Sequence, residues 1–497
     1  MKKYLTILVV VMLAATISFV GCKTGTAAAT TTEGAAETTA AATTTAGAAE
    51  TTAAASEWSL KTAAEPYKGV TLKILGDAAT EADALIKYDS EFTELTGIKV
   101  VWDQQSWDEL RSKMFMDFSS GAGVYDLLWS PFDDMKSITS QGYVIPIDKF
   151  LSDPALCDPN IDVADYPEQL WKVTSWHGDP AVPYGFSCEN PTMILWYRKD
   201  LIENSTEKEN FKKEYGYDLQ VPETVDQYYD IAEFFTRKSG EQLAGEVLDK
   251  DFYGVGIHGK RHMGAVCEWM NLSATWGDPT YGGVLDKNDN IVVNRPENVE
   301  ALDYWVSLFK FAPPGCVDWY WDQLTTAFQK DIVFMAFAWN DQSYGLEDPA
   351  ESEVAGKMGY AVLPMKEHKV SHFGSWSWTI SAKSKNQEAA WLYMQWATSK
   401  DVSLRVAKEG GMPARKSVFA DPEIAAIPFM PATGQALEYA FPRPVHRAEW
   451  SEMAEILALY LTQAHRKEIT SQEALDQVAI KWQELLKTEI INPPKTQ

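Results

Sequence analysis

The apolar and polar positions change period along the chain, and the changes mark its elements. From Val70 to Gly76 the run VTLKILG is dense in branched aliphatic residues and predicts a strand. Asp77, Thr80 and Glu81 open a helical pattern that reaches Leu95 and stops at Gly97. IKVVW predicts the next strand, and SWDELRSKMFMDFSSG an amphipathic helix with Ser106 or Asp108 near its cap. YDLLWS, Tyr125 to Ser130, predicts a buried strand halted at Pro131. A helix carrying Met135 and Ile138 follows and closes at Gly142. This β-α-β-α-β alternation predicts a mostly parallel sheet with helices on both faces. Ligands of such sheets sit beyond the carboxyl ends of strands, where this chain has Asp77, Gln104, Gln105, Trp129, Ser130, Asp133 and Asp134.

The second half reads in the same way. TMILWYRKDLI predicts a strand running into a turn. Pro222 to Arg237 predicts a helix striped by Val225, Tyr228, Tyr229, Ala232 and Phe235. FYGVGIHG predicts a strand whose glycines mark close backbone approach. CEWMNLSATWGDPTYGG carries Trp269, Asn271 and Trp276 up to a turn-rich loop. GYAVLP is a short strand ended by Pro364. In GSWSWTIS, Trp376, Trp378 and Ile380 alternate with Ser375, Ser377 and Thr379. Ser384 and Gln387 spell a capping box for a helix whose Ala389, Tyr393, Trp396 and Ala397 share one face. Glu449 to Leu486 is a long helical pattern. The two tryptophans beside Gly374 could form either a stacking platform or a packed corner.

The amino terminus has a different character. Lys2 and Lys3 precede an apolar run from Leu5 to Val20 and then Gly21-Cys22, the layout of a secretory signal peptide (residues 1–22). The ending resembles a bacterial lipoprotein lipobox, with Phe19 where such boxes usually carry Leu; the resemblance implies lipidation of Cys22 as the first mature residue. Residues 23–56 are nearly all Thr, Ala, Glu and Gly, with nothing large to bury, and read as a disordered tether. What remains exceeds the roughly 250–300 residues of a single core, so two lobes are expected.

Charge and composition narrow the partners. Lys+Arg number 44 against 70 Asp+Glu, a formal charge of -26, which argues against nucleic acid and anionic phosphate ligands. The chain has 19 Trp, and exported, acidic, Trp-rich proteins suit neutral sugars, whose C–H faces stack on aromatic rings. Cys157, Cys188, Cys267 and Cys316 lack C-x-x-C spacing, so they indicate neither metal nor redox chemistry, and free thiols and bridges both stay open. His258 and His262 are four apart, but Gly254, Gly256 and Gly259 argue against a helix that would pair them on a metal. Asp286, Asn288, Asn290 and Glu297 occupy calcium-loop positions, yet Ile291 stands where glycine is needed, so a polar hairpin turn is expected.

The order of YDLLWS, GYVIPIDKFL, AVPYGF…ILWYRKDLI, VPETVDQYYDIAEFFTRK, AFQKDIVFMAFAWND, YAVLP, GSWSWTISAKSKNQEAAWLYMQW and MPARKSVF resembles the extracellular solute-binding protein family 1, the sugar receptors of ABC importers related to maltose-binding protein. The resemblance implies an α/β, two-lobed periplasmic-binding-protein fold of type II with ligand in the cleft between lobes. It implies crossovers near Val182 to Glu189, Phe334 to Asn340 and Phe373 to Trp378. The first lobe would hold residues 66–184 and 334–374, the second 185–333 and 375–497. Carried onto this chain, the resemblance points to Trp129, Asp133, Glu189, Asn190, Trp339, Asn340, Asp341, Trp376 and Arg415, which join Asp77, Gln105 and Ser130 at the strand ends and Trp276 as the ligand-binding candidates. Trp129, Trp339 and Trp376 could equally be core, whereas Trp102, Trp171, Trp391 and Trp396 are read as core. The implied function is a monomeric, membrane-anchored receptor that captures a sugar or polyol and hands it to ABC permease subunits, with no cofactor and no metal. Two other readings share these features: an exported glycoside hydrolase, which needs two carboxylates about 5–9.5 Å apart, and a receptor for a membrane sensor.

Overall fold

The computed structural model describes residues 58–178 and 180–488. The signal peptide, Cys22 and the tether lie outside the described residues. β1 (Thr71–Asp77), α1 (Thr80–Ile86), α2 (Asp89–Thr96), β2 (Lys99–Gln105), α3 (Trp107–Ser120), β3 (Leu127–Pro131) and α4 (Phe132–Ser140) follow the predicted alternation. The single helix expected from Asp77 to Leu95 is two, broken at Lys87–Tyr88. Gly97 ends the second in a left-handed conformation, φ 76°, where a Cβ would be strained. Next come β4 (Ser187–Glu189), β5 (Met193–Arg198), β6 (Tyr253–Val255), α5 (Met263–Trp276), α6 (Trp321–Gln329), β7 (Val333–Trp339), β8 (Met358–Ala361), β9 (Trp376–Ile380) and α7 (Gln387–Ala397). The chain closes with α8 (Trp450–His465) and α9 (Ser471–Leu486).

Two sheets organise these elements. The first has the order β2-β1-β3-β9-β4, with β1, β2 and β3 parallel and β9 antiparallel to both its neighbours. The second has the order β6-β7-β5-β8, with β5 antiparallel to β7 and β8. Hydrogen bonding therefore reverses part of the expected lobe partition. Within 334–374, the paired strands β7 and β8 belong to the second sheet, while β9, expected in the second lobe, completes the first. Phe334 to Asn340 is not a crossover, because Val333–Trp339 is an inner strand of the second sheet, paired on both edges. The first passage between sheets lies just beyond Glu189, at residues 190–192, and the chain returns before Trp376.

Each sheet has its own aromatic core. Trp378 lies 5.7 Å from Trp102, 5.4 Å from Trp129 and 5.7 Å from Tyr393, all edge-to-face. Trp102 donates to Asp89 and Trp391 to the Leu156 carbonyl, whereas the indole N–H groups of Trp129, Trp196 and Trp269 are buried without a partner. Under the second sheet Trp196 meets Phe328 edge-on and Phe235 stacks on Phe334 at 3.9 Å. The predicted capping box at Ser384 does not form. α7 starts two residues later, and the Ser384 hydroxyl donates instead to Asp126 at 2.6 Å. The four described cysteines are free thiols. Asp286 accepts from the backbone of Asn288 and Asn290, forming the expected polar turn.

Gly185 shows how tightly the inserted strand is held. A Cβ there would stand 1.6 Å from the Trp378 carbonyl oxygen, and the Trp378 N–H donates to Phe186 next door at 2.9 Å. Gly185→Ala is expected to destabilise the protein by on the order of 3 kcal/mol, because backbone rather than a flexible side chain must move. Urea denaturation followed by tryptophan fluorescence measures it; an unchanged midpoint would contradict this packing.

Candidate ligand-binding cleft

A cavity of about 490 Å³ lies between the two sheets. Its first wall comes from the carboxyl ends of three parallel strands: Asp77 to Glu81 after β1, Ser106 to Asp108 after β2, and Pro131 and Asp133 after β3. The opposite wall carries His262, Tyr320, Trp321, Asp322, Trp339, Asp341 and Gln342. Glu189, Pro191, Gly374, Ser375 and Trp376 line it from the connecting segments. The walls touch where the Trp107 ring meets His262 at 5.7 Å and Trp321 at 6.1 Å, both edge-to-face. The volume falls in the range of small-molecule sites, roughly 300–1,000 Å³.

Six of the thirteen predicted residues line this cavity: Asp77, Asp133, Glu189, Trp339, Asp341 and Trp376. The others are placed elsewhere for identifiable reasons. Trp129 and Ser130 are fully buried within β3, Trp129 against Trp102 and Trp378, Ser130 against Thr379 at 2.8 Å. Asn190 accepts from Ser375 and Ser187 inside the crossover. Asn340 accepts from the Thr192 N–H at 2.8 Å and donates to Thr433 at 3.1 Å. Arg415 is buried over the Tyr166 ring and donates to the carbonyls of Thr398, Asp162 and Ile161. It is a structural clamp that pins the 161–166 loop. Gln105 donates to Asp103, and Trp276 packs on Tyr304, neither lining the cavity.

Sequence reasoning did not select Glu81, Trp107, Asp108, His262, Trp321, Asp322, Gln342 or Arg443, which also line the cavity. Glu81 and Asp108 were legible only as first-turn residues of helices, where carboxylates are ordinary. His262 caps α5 by accepting from the Gly264 N–H at 3.2 Å, and burial holds its imidazole down to about 4, in the neutral form. His258 pairs instead with Glu268 at 2.6 Å. Among the described residues, no three His, Cys, Asp or Glu side chains converge in a way that could hold a metal ion.

The cavity's electrostatics are one-sided. Seven carboxylates line it (Asp77, Glu81, Asp108, Asp133, Glu189, Asp322 and Asp341), while its lining contains one cationic side chain, Arg443. Arg443 pairs with Asp133 at 3.2 Å, and the other Asp133 oxygen accepts from the Trp450 indole at 2.6 Å. Burial nevertheless raises Asp133, against the opposing pull of Arg443. Burial and then the Asp341 charge push Asp77 up to about 7, and burial pushes Asp341 up to about 6. Glu81 and Glu189 are raised well above the carboxylate range, first by burial; Glu81, Asp341 and Asp77 add repulsion at Glu189. Glu81 Oε2, Asp341 Oδ1 and the indole nitrogens of Trp321 and Trp339 are buried without a hydrogen-bond partner.

Two α/β lobes around a cavity at the strand ends, walled by tryptophans and hydrogen-bonding groups, define a solute-binding receptor. Residues 78–403 match the bacterial extracellular solute-binding protein family, and the chain belongs to it. It is 23% identical over 397 residues to a probable amino-acid ABC transporter periplasmic-binding protein of Sinorhizobium fredii, covering 77% of this chain and 82% of that protein. It is 24% identical over 351 residues to the erythritol/L-threitol-binding protein of Mycolicibacterium smegmatis, covering 66% and 67%. The fold is shared with maltose-bound MalE3 of T. maritima, with a TM-score of 0.68, 22% identity, and coverage of 84% of this chain and 100% of that one. The fold is thus the two-lobed, maltose-binding-protein-like one that the sequence resemblance implies. No helix among the described residues is long and apolar enough to cross a membrane.

The raised Asp77 carboxyl has a consequence for stability. A carboxyl whose folded pKa exceeds its unfolded value of about 3.9 stabilises the fold below that value, and the contribution is lost as pH rises through the folded pKa. For Asp77 that window runs from about 4 to about 7. Asp77→Asn is therefore expected to melt higher than the parent at pH 8, by roughly 1–3 °C, with the gap closing toward pH 4. Thermal melts of both proteins across this range, without ligand, test it. A gap independent of pH would refute the assignment.

Proposed function

We propose that this protein is the substrate-binding receptor of an ABC-type importer, which takes a carbohydrate or polyol into the cleft and presents it to membrane permease subunits. The observation that carries this reading is the cavity itself: a space of about 490 Å³ between two lobes, faced by Trp107, Trp321, Trp339 and Trp376 and rich in hydrogen-bond acceptors. Aromatic faces take the apolar faces of a sugar or the carbon chain of a polyol, and carboxylates accept from its hydroxyls. The likeness to an erythritol/L-threitol-binding protein supports the ligand class. The lobes close by rotation at the crossover segments, and the closed shape is what the permease reads.

The role is binding without turnover, in keeping with a family of binding proteins. The protein acts as a monomer, exported and held to the membrane by a lipid on Cys22, with residues 23–56 as the tether.

A thermal-shift screen of the full-length protein against mono-, oligosaccharides and polyols, with product analysis, tests the reading. A ligand at a hundred times its dissociation constant should add about 2.7 kcal/mol of stability and be recovered intact. Cleaved sugar would establish a hydrolase instead. With a ligand in hand, Trp339→Ala and Trp376→Ala are each expected to weaken binding ten-fold or more, about 1.4 kcal/mol. Titration calorimetry measures this, and unchanged affinity in both would overturn the assignment of these faces.

A further inference from the structure

We propose that the cleft selects an amine-bearing carbohydrate or polyol, its protonated nitrogen seated among Asp77, Glu81, Glu189 and Asp341. The inference rests on the sugar-or-polyol reading above and names a subclass of it. These four carboxylates line one cavity, and no Lys lines it. Its one guanidinium, Arg443, pairs with Asp133 and lies over the Phe132 ring at 4.4 Å, with its Nε buried and unpartnered. Neither Glu81 nor Glu189 has a salt-bridge partner among the described residues, and the same holds for Asp77 and Asp341.

The second observation is separate from the cluster. Glu81, only 9% exposed, keeps Oε2 buried with no hydrogen-bond partner, and Asp341 keeps Oδ1 so. Among the described residues Glu207 is the other carboxylate with such an oxygen, and it has Arg237 3.9 Å away and accepts from the Ala244 N–H. Further buried carboxylates are matched outright. Asp134 takes a bidentate Arg111, Asp165 takes Arg415 and Ser417, and Asp126 takes Ser384 and Asn386. A buried carboxylate without a counter-charge is costly, so a cation supplied from outside gains what the protein has withheld. A neutral polyol would satisfy the lone pairs but give these groups, whose burial favours the protonated form, no counter-charge on which to ionise. An ammonium group satisfies both, and the surrounding tryptophan faces add cation–π attraction. The unpartnered indole N–H of Trp339 is left to donate to a ligand oxygen, which favours a hydroxylated amine over a bare polyamine.

Calorimetry on the full-length protein with matched ligands tests this: glucosamine against glucose and N-acetylglucosamine, and glucamine against sorbitol, at pH 7, where both amines carry their proton. At least one amine should bind ten-fold or more tighter than its neutral twins, and Glu81→Gln should narrow that ratio several-fold. Equal or tighter binding of the neutral twins, or of other neutral sugars and polyols alone, would overturn the inference and leave the sugar-or-polyol reading standing. Tight binding of spermidine or an amino acid, with no hydroxylated ligand binding, would overturn both. A preserved ratio in folded Glu81→Gln would remove Glu81 from the ammonium seat and refute the arrangement drawn here.

Discussion

Everything in this fold depends on two short segments that run between the sheets and are hydrogen-bonded to each other. Thr192 bridges Phe373, and the Gly374 N–H donates to the Pro191 carbonyl at 2.7 Å. Around them Ser375 donates to the Glu189 carbonyl and meets Ser187, Thr192 meets Ser371, and Asn340 reaches across to the Thr192 N–H. These groups are buried, so each bond lost would leave a polar atom unsatisfied, at roughly 1–3 kcal/mol. The network fixes where the lobes join while leaving few residues to absorb a rotation. It also places Glu189 and Trp376, which flank it, at the floor of the cleft.

The tryptophans divide by their position along the strand rather than by their sequence context. Trp376 and Trp378 alternate with serines on one strand, yet Trp378 sits mid-sheet under Trp102 and Tyr393. Trp376 sits at the end, paired with Pro131 and Glu189, where the register of β9 against β4 shifts. Trp129 follows Trp378 into the core because the two are register partners. The faces left to the cleft are thus those at strand ends and helix starts.

Charge is distributed on the same principle. Carboxylates that hold the fold together are matched to cations or hydroxyls, as Asp134 is by Arg111 and Ser451. Around the cavity Asp133 has Arg443, but Asp77, Glu81, Glu189 and Asp341 are crowded together with no cationic partner among the described residues. Burial and mutual repulsion raise their pKa values, so the empty cleft works against the stability of the protein above neutral pH.

The sequence by itself determined the alternation of elements, the existence of two lobes and the family, because hydrophobic period and the order of segments are local properties that survive without coordinates. It also singled out Asp77, Asp133, Glu189, Trp339, Asp341 and Trp376, which line the cavity, each beside a strand end or a crossover. The tertiary structure alone decided which lobe each late strand joined, since neither a short apolar run nor an alternating one names its neighbour, and only the hydrogen-bond partners of β7, β8 and β9 distinguish them. It alone moved Arg415 and Asn340 from ligand to scaffold, for their partners lie between 17 and 254 residues away. And it alone gathered Glu81, Trp321 and Arg443 into the cleft, because neither a first-turn carboxylate, a helix-start tryptophan nor a loop arginine shows in sequence whether it faces water or another lobe.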